Sequence, residues 1–225
     1  MSYTLEVIAM SADEAREAER GGADRLEIVR DLDQGGLTPT LETVREIRAA
    51  VDLPLRVMVR QTADYKMRSS EDLQRMRDAA AAFGAMQVDG IVLGFEQNGQ
   101  ADLESVGAIL EAAPRTPATF HRAFEAVRDP LAEIVRLHTL PQIDHILTSG
   151  GDGNWDTKML RLETWRQAAA PSITILAGGG LDLERMLWLT RETALTEFHV
   201  GTAVRENGVV SADLVRKLKD ALERR

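Results

Sequence analysis

The chain alternates eight times between a short apolar run and a longer stretch with helical patterning. The strand-like runs fall at 5–9, 25–29, 55–59, 89–93, 118–121, 143–148, 173–176 and 197–200. The helix-period stretches fall at 12–20, 41–50, 70–83, 102–112, 130–138, 159–169, 182–191 and 211–223. Strands separated by helices pair in parallel through right-handed crossovers. Eight units with nothing left over predict an α/β fold closed on itself, a (β/α)8 TIM barrel, as one domain over 1–225. A length of 225 residues is near the lower end of the roughly 200 to 400 residues such barrels use.

The parity of the strands indicates what fills the barrel. Alternate side chains point to opposite faces, one towards the helices and one towards the interior. Leu5, Val7 and Ala9 oppose Glu6 and Ile8, and Leu26 and Ile28 oppose Arg25, Glu27 and Val29. Leu55, Val57 and Val59 oppose Arg56, Met58 and Arg60. Ala118 and Phe120 oppose Thr119 and His121, and Phe198 and Val200 oppose Glu197 and His199. The apolar faces suit helices, so the charged and imidazole faces must point inward. Such groups are costly to bury unless paired. They form either a space-filling ion network or a site at the C-terminal strand ends, where this fold carries its chemistry. Arg60, His121 and His199 come late in their strands and are assigned to a site. Glu6 and Glu27 come earlier, as deep site residues or as support for one. The fourth, sixth and seventh runs are apolar or small on both faces. His145 alternates with Ile143 and Leu147 and is expected to pack against helices, and His138 is expected at the surface.

The loops carry a second signal. Glycine-rich segments follow the second, sixth and seventh runs: 33–39, Thr148-Ser149-Gly150-Gly151 and Ala177-Gly178-Gly179-Gly180. Gly201-Thr202-Ala203 follows the eighth. Glycine lets backbone amides approach a ligand, and the loops after strands seven and eight of this fold often hold a phosphate. Ser149, Gly150, Gly151, Gly178, Gly179, Gly180, Gly201 and Thr202, with Arg122, are therefore candidate anion ligands; tight βα turns are the alternative reading. Asp64-Tyr65-Lys66, in the long loop after the third run, offers a lid or substrate contact. Trp155, Trp165 and Trp188 are expected to pack or line an interface, and Trp155, placed in the loop after the sixth run, offers cover for a ligand as the alternative.

Composition narrows the partners. A formal net charge of −9 argues against nucleic acid or an anionic membrane surface as the main partner, but not against a small anion held by local groups. No apolar run reaches about 18 residues and the N-terminus lacks an export signal, so a cytoplasmic location is expected. The chain contains no cysteine, which removes disulfides, thiolate ligands and thiol nucleophiles together. Lys66, Lys158, Lys217 and Lys219 lie in loops or helices, so no strand-borne lysine is available for Schiff-base chemistry. Glu6, Glu27, His121 and His199 offer a ligand set for manganese, zinc or iron, opposed by the inward cation Arg60. The residues identify no cofactor, and nothing supports nicotinamide or flavin binding.

Several blocks in fixed order resemble the CutC family, named for copper homeostasis. They are Leu5-Glu6-Val7, Gly21-Gly22-Ala23-Asp24-Arg25-Leu26-Glu27 and Gly35-Gly36-Leu37-Thr38-Pro39. Val57-Met58-Val59-Arg60, Asp89-Gly90-Ile91-Val92-Leu93-Gly94 and Thr119-Phe120-His121-Arg122-Ala123-Phe124 continue the match. Ile146-Leu147-Thr148-Ser149-Gly150-Gly151 and Gly178-Gly179-Gly180 complete it, over nearly the whole length. The resemblance implies a cytoplasmic TIM barrel, a homo-oligomer, with a role in intracellular copper handling and copper-ion binding. The chain departs from the family in two places. Where family members commonly carry cysteines it has Ile8 and Val29, and Gln61-Thr62 stands in place of a usual Pro-Arg. Glu6, Glu27, Arg60, His121 and Arg122 match. Copper(I) prefers thiolate and thioether ligands, so a site built on those two cysteines does not exist here.

Two functions of different kinds follow as expectations. The first is copper homeostasis, as the resemblance implies. The second is an enzyme (isomerase, epimerase, lyase or hydrolase) acting on a small anionic, phosphorylated or similar metabolite. In it Arg60 and the glycine loops hold the anion, Glu27 and His121 exchange protons, and Glu6 orients a neighbour or shares a proton. A catalytically silent binding protein on the same scaffold is a third outcome.

Overall fold

A computed structural model describes residues 2–224. The strands are β1 (Thr4–Ala9), β2 (Arg25–Ile28), β3 (Leu55–Met58), β4 (Gly90–Leu93), β5 (Ala118–Phe120), β6 (Ile143–Thr148), β7 (Thr174–Ala177) and β8 (Glu197–Val200). Each bonds in parallel to its sequence neighbours, and β8 returns to β1, closing the barrel with Glu6 opposite His199. The helices are α1 (Ala12–Arg20), α2 (Leu41–Ala50), α3 (Ser70–Ala85), α4 (Leu103–Leu110), α5 (Pro130–Leu137), α6 (Trp155–Ala169), α7 (Leu183–Glu192) and α8 (Ala212–Glu223). The expected (β/α)8 barrel is the observed one.

The core lies between the outer face of the barrel and the helices. Leu5, Leu26, Leu55, Ile91, Phe120 and Phe198 are wholly buried from the strand side, as are Ile47, Phe83 and Leu189 from the helix side. Each large side chain so buried stabilises the fold by about 1.5–3 kcal/mol. Helix starts are set by side-chain caps. Ser11, Thr40, Ser69, Asp102, Asp129, Asn154 and Asp182 each accept a backbone N–H from the first turn, worth about 1 kcal/mol apiece. The Asn154 cap starts α6 four residues before the patterned stretch at 159. Trp155 is thus helical, not in a loop. It packs beneath Lys158 and Arg185, 5.1 and 5.0 Å from its ring centroid, and does not cover the barrel mouth.

His145 departs from its expected place. The register between β5 and β6 shifts, with Ala118 opposite Ile143 but Thr119 opposite His145. The extra residue, Asp144, is a bulge, and a bulge re-aims the side chains beyond it. Ile143 and Ile146 join the helix-side core, whereas Asp144 and His145 both turn into the barrel. There Arg56 makes two bonds to Asp144, of 2.7 and 2.6 Å, and one to Thr119 Oγ1. His145 bridges Asp144 and Glu197 at 2.8 and 3.0 Å, and Arg25 joins Glu197 to Glu6. These groups fill the N-terminal half of the barrel with alternating charge. Two short hairpins, turning at Asn98-Gly99 and Asn207-Gly208, decorate the loops.

Gly21 sits where α1 meets α8. A Cβ there would lie 2.5 Å from Val215 Cβ and 2.7 Å from the Ala212 carbonyl oxygen. Gly21→Ala is expected to lower unfolding free energy by about 1–3 kcal/mol through overpacking. Urea denaturation measures it; an unchanged midpoint and slope would show that α8 yields freely.

Candidate acid–base site at the barrel mouth

At the C-terminal end the barrel opens into a cavity of about 350 Å3. Its walls mix apolar side chains (Ile8, Met58, Leu147, Leu181 and Val200) with Glu27, His199, His121, Arg60, Tyr65 and Arg122, and its rim includes Gly35, Gly179, Gly180, Gly201 and Thr202. Ile8, Val29, Met58 and Val92 form a separate apolar patch inside β1–β4.

Glu6 lies beneath the cavity, 1% exposed. Its two oxygens are engaged: one accepts from Arg25 Nε, the other pairs with His199 Nδ1 at 2.7 Å. Burial alone would push the Glu6 carboxyl up, but Arg25 and His199 outweigh it and hold it well below the usual carboxylate range. His199 presents Nε2 to Glu27 Oε2 at 3.8 Å. Burial disfavours charge on this imidazole, yet the two carboxylates raise its pKa.

Glu27 has no such compensation. Burial and the repulsion of Glu6 outweigh the pull of His199, Arg60 and Arg25, and its carboxyl is pushed up to about 7. Its Oε1 is buried without a hydrogen-bond partner. His121 shows the complementary case. The Ala123 N–H donates to its Nδ1 at 3.2 Å, so the neutral ring carries its proton on Nε2. That Nε2 is also buried and unpartnered. Burial, then the nearby Arg60, push the imidazole down to about 3, so it is neutral at physiological pH. Gly94 makes room for the ring, since a Cβ there would lie 2.8 Å from Nδ1.

Arg60 lines the cavity but its donors are turned to the loops. Nε donates to the Thr62 carbonyl at 2.9 Å, Nη1 to Gly35 at 3.1 Å, and Nη2 to Ala63. The guanidinium lies 4.8 Å from the centroid of the Tyr65 ring, which in turn sits 5.2 Å from that of His121. Arg60 therefore rivets the β2 and β3 loops over the site. Of the Asp64-Tyr65-Lys66 segment, Tyr65 lines the cavity, while Lys66 pairs with Glu96.

The glycine loops divide. Gly179, Gly180, Gly201 and Thr202 reach the cavity together with Arg122. Gly178 packs against Leu147 and His199, where a Cβ would come within 2.6 Å of Leu147. The Ser149 amide donates to Glu125 and the Gly150 amide to Thr148 Oγ1. Gly150 backs onto Lys158 of α6, and Gly151 lies near Arg161 and Trp165, so both face α6 and not the cavity. Sequence pattern does not single out Glu125, whose one local signal is its three-residue spacing from Arg122 on a helical turn.

Glu6, Glu27 and His199 bring one ligand atom each within 4.8 Å of one another. A metal there would compete with Arg25 for Glu6 and with Glu6 for His199 Nδ1, leaving Glu27 and His199 Nε2 as free donors. His121 lies outside this cluster. Among the described residues no lysine lines the cavity, and no helix is long and apolar enough to cross a membrane.

The fold and site define a (β/α)8 barrel with a buried carboxyl and two buried imidazoles at its C-terminal mouth. The CutC family model matches residues 3–204, and the chain belongs to that family. It is 30% identical over 209 residues to the human copper homeostasis protein cutC homolog, covering 92% of this chain and 76% of the relative. A CutC family protein of Mesorhizobium japonicum is 33% identical, over 87% of this chain and 76% of its own. The crystal structure of the CutC protein of Streptococcus agalactiae superposes with a TM-score of 0.82 at 23% identity, covering 89% of this chain and 98% of that one, which shows the shared fold.

A carboxyl with a higher pKa folded than unfolded makes the folded chain bind the extra proton, so stability falls as pH rises between the two values. For Glu27 that window runs from about 4.5 to about 7. Glu27→Gln removes the charge, so its melting temperature minus that of wild type should be smallest below this window, grow across it by several degrees and level off above it. A difference that stays flat across pH would show Glu27 ionised like a surface carboxylate.

Proposed function

We propose that this chain is an enzyme that moves a proton on the carbon next to a carbonyl group of a small anionic metabolite, as isomerases, epimerases and some lyases do. The observation that carries this is the pair of buried, unpartnered atoms, Glu27 Oε1 and His121 Nε2, lining one cavity. A catalytic base works best with a pKa near the working pH, and Glu27 is tuned there by burial. A neutral imidazole is a suitable hydrogen-bond donor to a carbonyl oxygen that becomes an enolate.

The ionised Glu27 takes the proton from the substrate C–H. The bond electrons move into the carbonyl, and its oxygen, now bearing negative charge, accepts the His121 Nε2–H bond. Return of the proton by Glu27 to the same carbon restores the carbonyl; return to a neighbouring hydroxyl-bearing carbon moves the carbonyl across, with His121 Nε2 giving its proton to the first oxygen and taking that of the second. His199, oriented by Glu6, stabilises the Glu27 carboxylate between these steps. Arg60 and Tyr65 hold the loops that keep water from the enolate.

Copper handling is the other reading, supported by the names of the relatives. The donors suit direct copper(I) ligation poorly. Ile8 and Val29, at the positions of the family cysteines, form an apolar patch with Val92 and Met58, which leaves one thioether at the cavity. A copper role for this chain would then run through the chemistry of the cavity, with copper neither ligand-bound there nor required for the proton transfer.

Incubation in deuterium oxide with a panel of small phosphorylated aldoses, ketoses and keto acids, followed by proton NMR, tests the proposal. Loss of a C–H signal alpha to a carbonyl is the expected result. Glu27→Gln should slow it by about 10^2–10^4-fold, and His121→Ala by about 10^2-fold. Exchange that is absent across the panel, or equally fast in Glu27→Gln, would overturn the assignment.

A further inference from the structure

We infer that the anionic group of the substrate is a phosphoryl group, bound at the rim of the cavity by Arg122 Nη1 and the Gly179 and Gly180 amides, with Glu125 as the residue that positions Arg122. This deepens the reading above and rests on it.

The Arg122 guanidinium is held from one side. Glu125 takes Nε at 3.1 Å and Nη2 at 2.7 Å. Glu125 is in turn anchored to the turn after β6, accepting from the Ser149 amide at 2.6 Å and from Thr148 Oγ1 at 3.3 Å. Nη1 donates to nothing among the described residues. Against the guanidinium lies the loop after β7. Gly179 has φ +82, and a Cβ there would lie 3.3 Å from Arg122 Cζ and 2.9 Å from Ser149 Cβ. Only glycine brings the backbone this close. Gly180 follows with φ +87 and open space where a Cβ would be. Among the described residues nothing accepts from either glycine N–H, whereas the Gly178 amide is bonded to the Thr148 carbonyl.

The donor pattern selects the anion. Glu125 occupies the Nε/Nη2 edge of Arg122, so a ligand meets the guanidinium at its Nη1 end. That end and the two backbone amides are donors from three different groups, which exceed the two oxygens of a carboxylate and match the separate oxygens of a tetrahedral phosphoryl group. Charge agrees. Arg60 and Arg122 line the same cavity, and Arg60 has no side-chain carboxylate bonded to it, its donors all going to backbone carbonyls. A dianion at this rim relieves the repulsion of two guanidiniums in a chain whose formal net charge is −9.

Isothermal titration with inorganic phosphate, and with acetate at matched ionic strength, tests the inference. Phosphate should bind the wild type at millimolar or lower concentration, and acetate at least about tenfold more weakly. Arg122→Gln, a substitution of a side chain 46% exposed whose folding circular dichroism verifies, should weaken phosphate by at least about tenfold. Absence of phosphate binding, equal binding of acetate, or unchanged affinity in Arg122→Gln would overturn the phosphoryl assignment. Should phosphate bind as expected while deuterium exchange is independent of Glu27, the proton-transfer reading fails and the subsite stands. Should Glu27-dependent exchange persist without phosphate binding, the subsite alone fails.

Discussion

A carboxylate buried inside the barrel, Glu6, is the constraint from which the rest of the interior follows. A charge in that position costs several kcal/mol unless fully paired. Arg25 and His199 pair it completely, and in doing so they fix the orientation of both partners. Arg25 is drawn down towards Glu197 and the ion network of the N-terminal half. His199 is drawn so that its second nitrogen faces Glu27. The barrel is thereby divided into a lower half filled by alternating charges and an upper half left open.

The two interior carboxylates show how environment separates identical chemistry. Glu6 has both oxygens in ion pairs and stays ionised. Glu27 is as deeply buried, yet its nearest cation stands 3.8 Å away and one oxygen touches no donor. The same low-dielectric surroundings that make a paired charge persistent make an unpaired one readily protonated. His121 is driven the opposite way by burial and two nearby guanidiniums. A carboxyl that titrates near neutrality and an imidazole that keeps its proton on Nε2 thus line one cavity.

Much of this was legible in the residues. The period-two patterning named Glu6, Glu27, Arg56 and His199 as inward, because each faces away from an apolar helix-side row. Three features escaped it for local reasons. His145 was misplaced because the Asp144 bulge breaks the alternation on which the reading depends. The hairpins at Asn98-Gly99 and Asn207-Gly208 were passed over, although Asn-Gly is a strong turn signal, because each is flanked by strands only two residues long. Glu125 carries no signal along the chain beyond its three-residue spacing from Arg122, since its role lies in a contact with Ser149, 24 residues away.

By itself the sequence determined the closed eight-fold architecture and which side chains of β1, β2, β3, β5 and β8 face its interior, because strand and helix periodicity and face parity are properties of neighbouring residues. Only the tertiary structure decided which of those side chains are satisfied and which are free. Arg25 and Arg60 look alike in the sequence, yet one neutralises Glu6 and the other clasps backbone carbonyls of two loops. Glu6 and Glu27 look alike too, and they differ in protonation because partners 19 and 193 residues from Glu6 close on it and leave Glu27 without. Hydrogen bonding and burial are set by what the folded chain brings together, and pattern along the chain does not contain them.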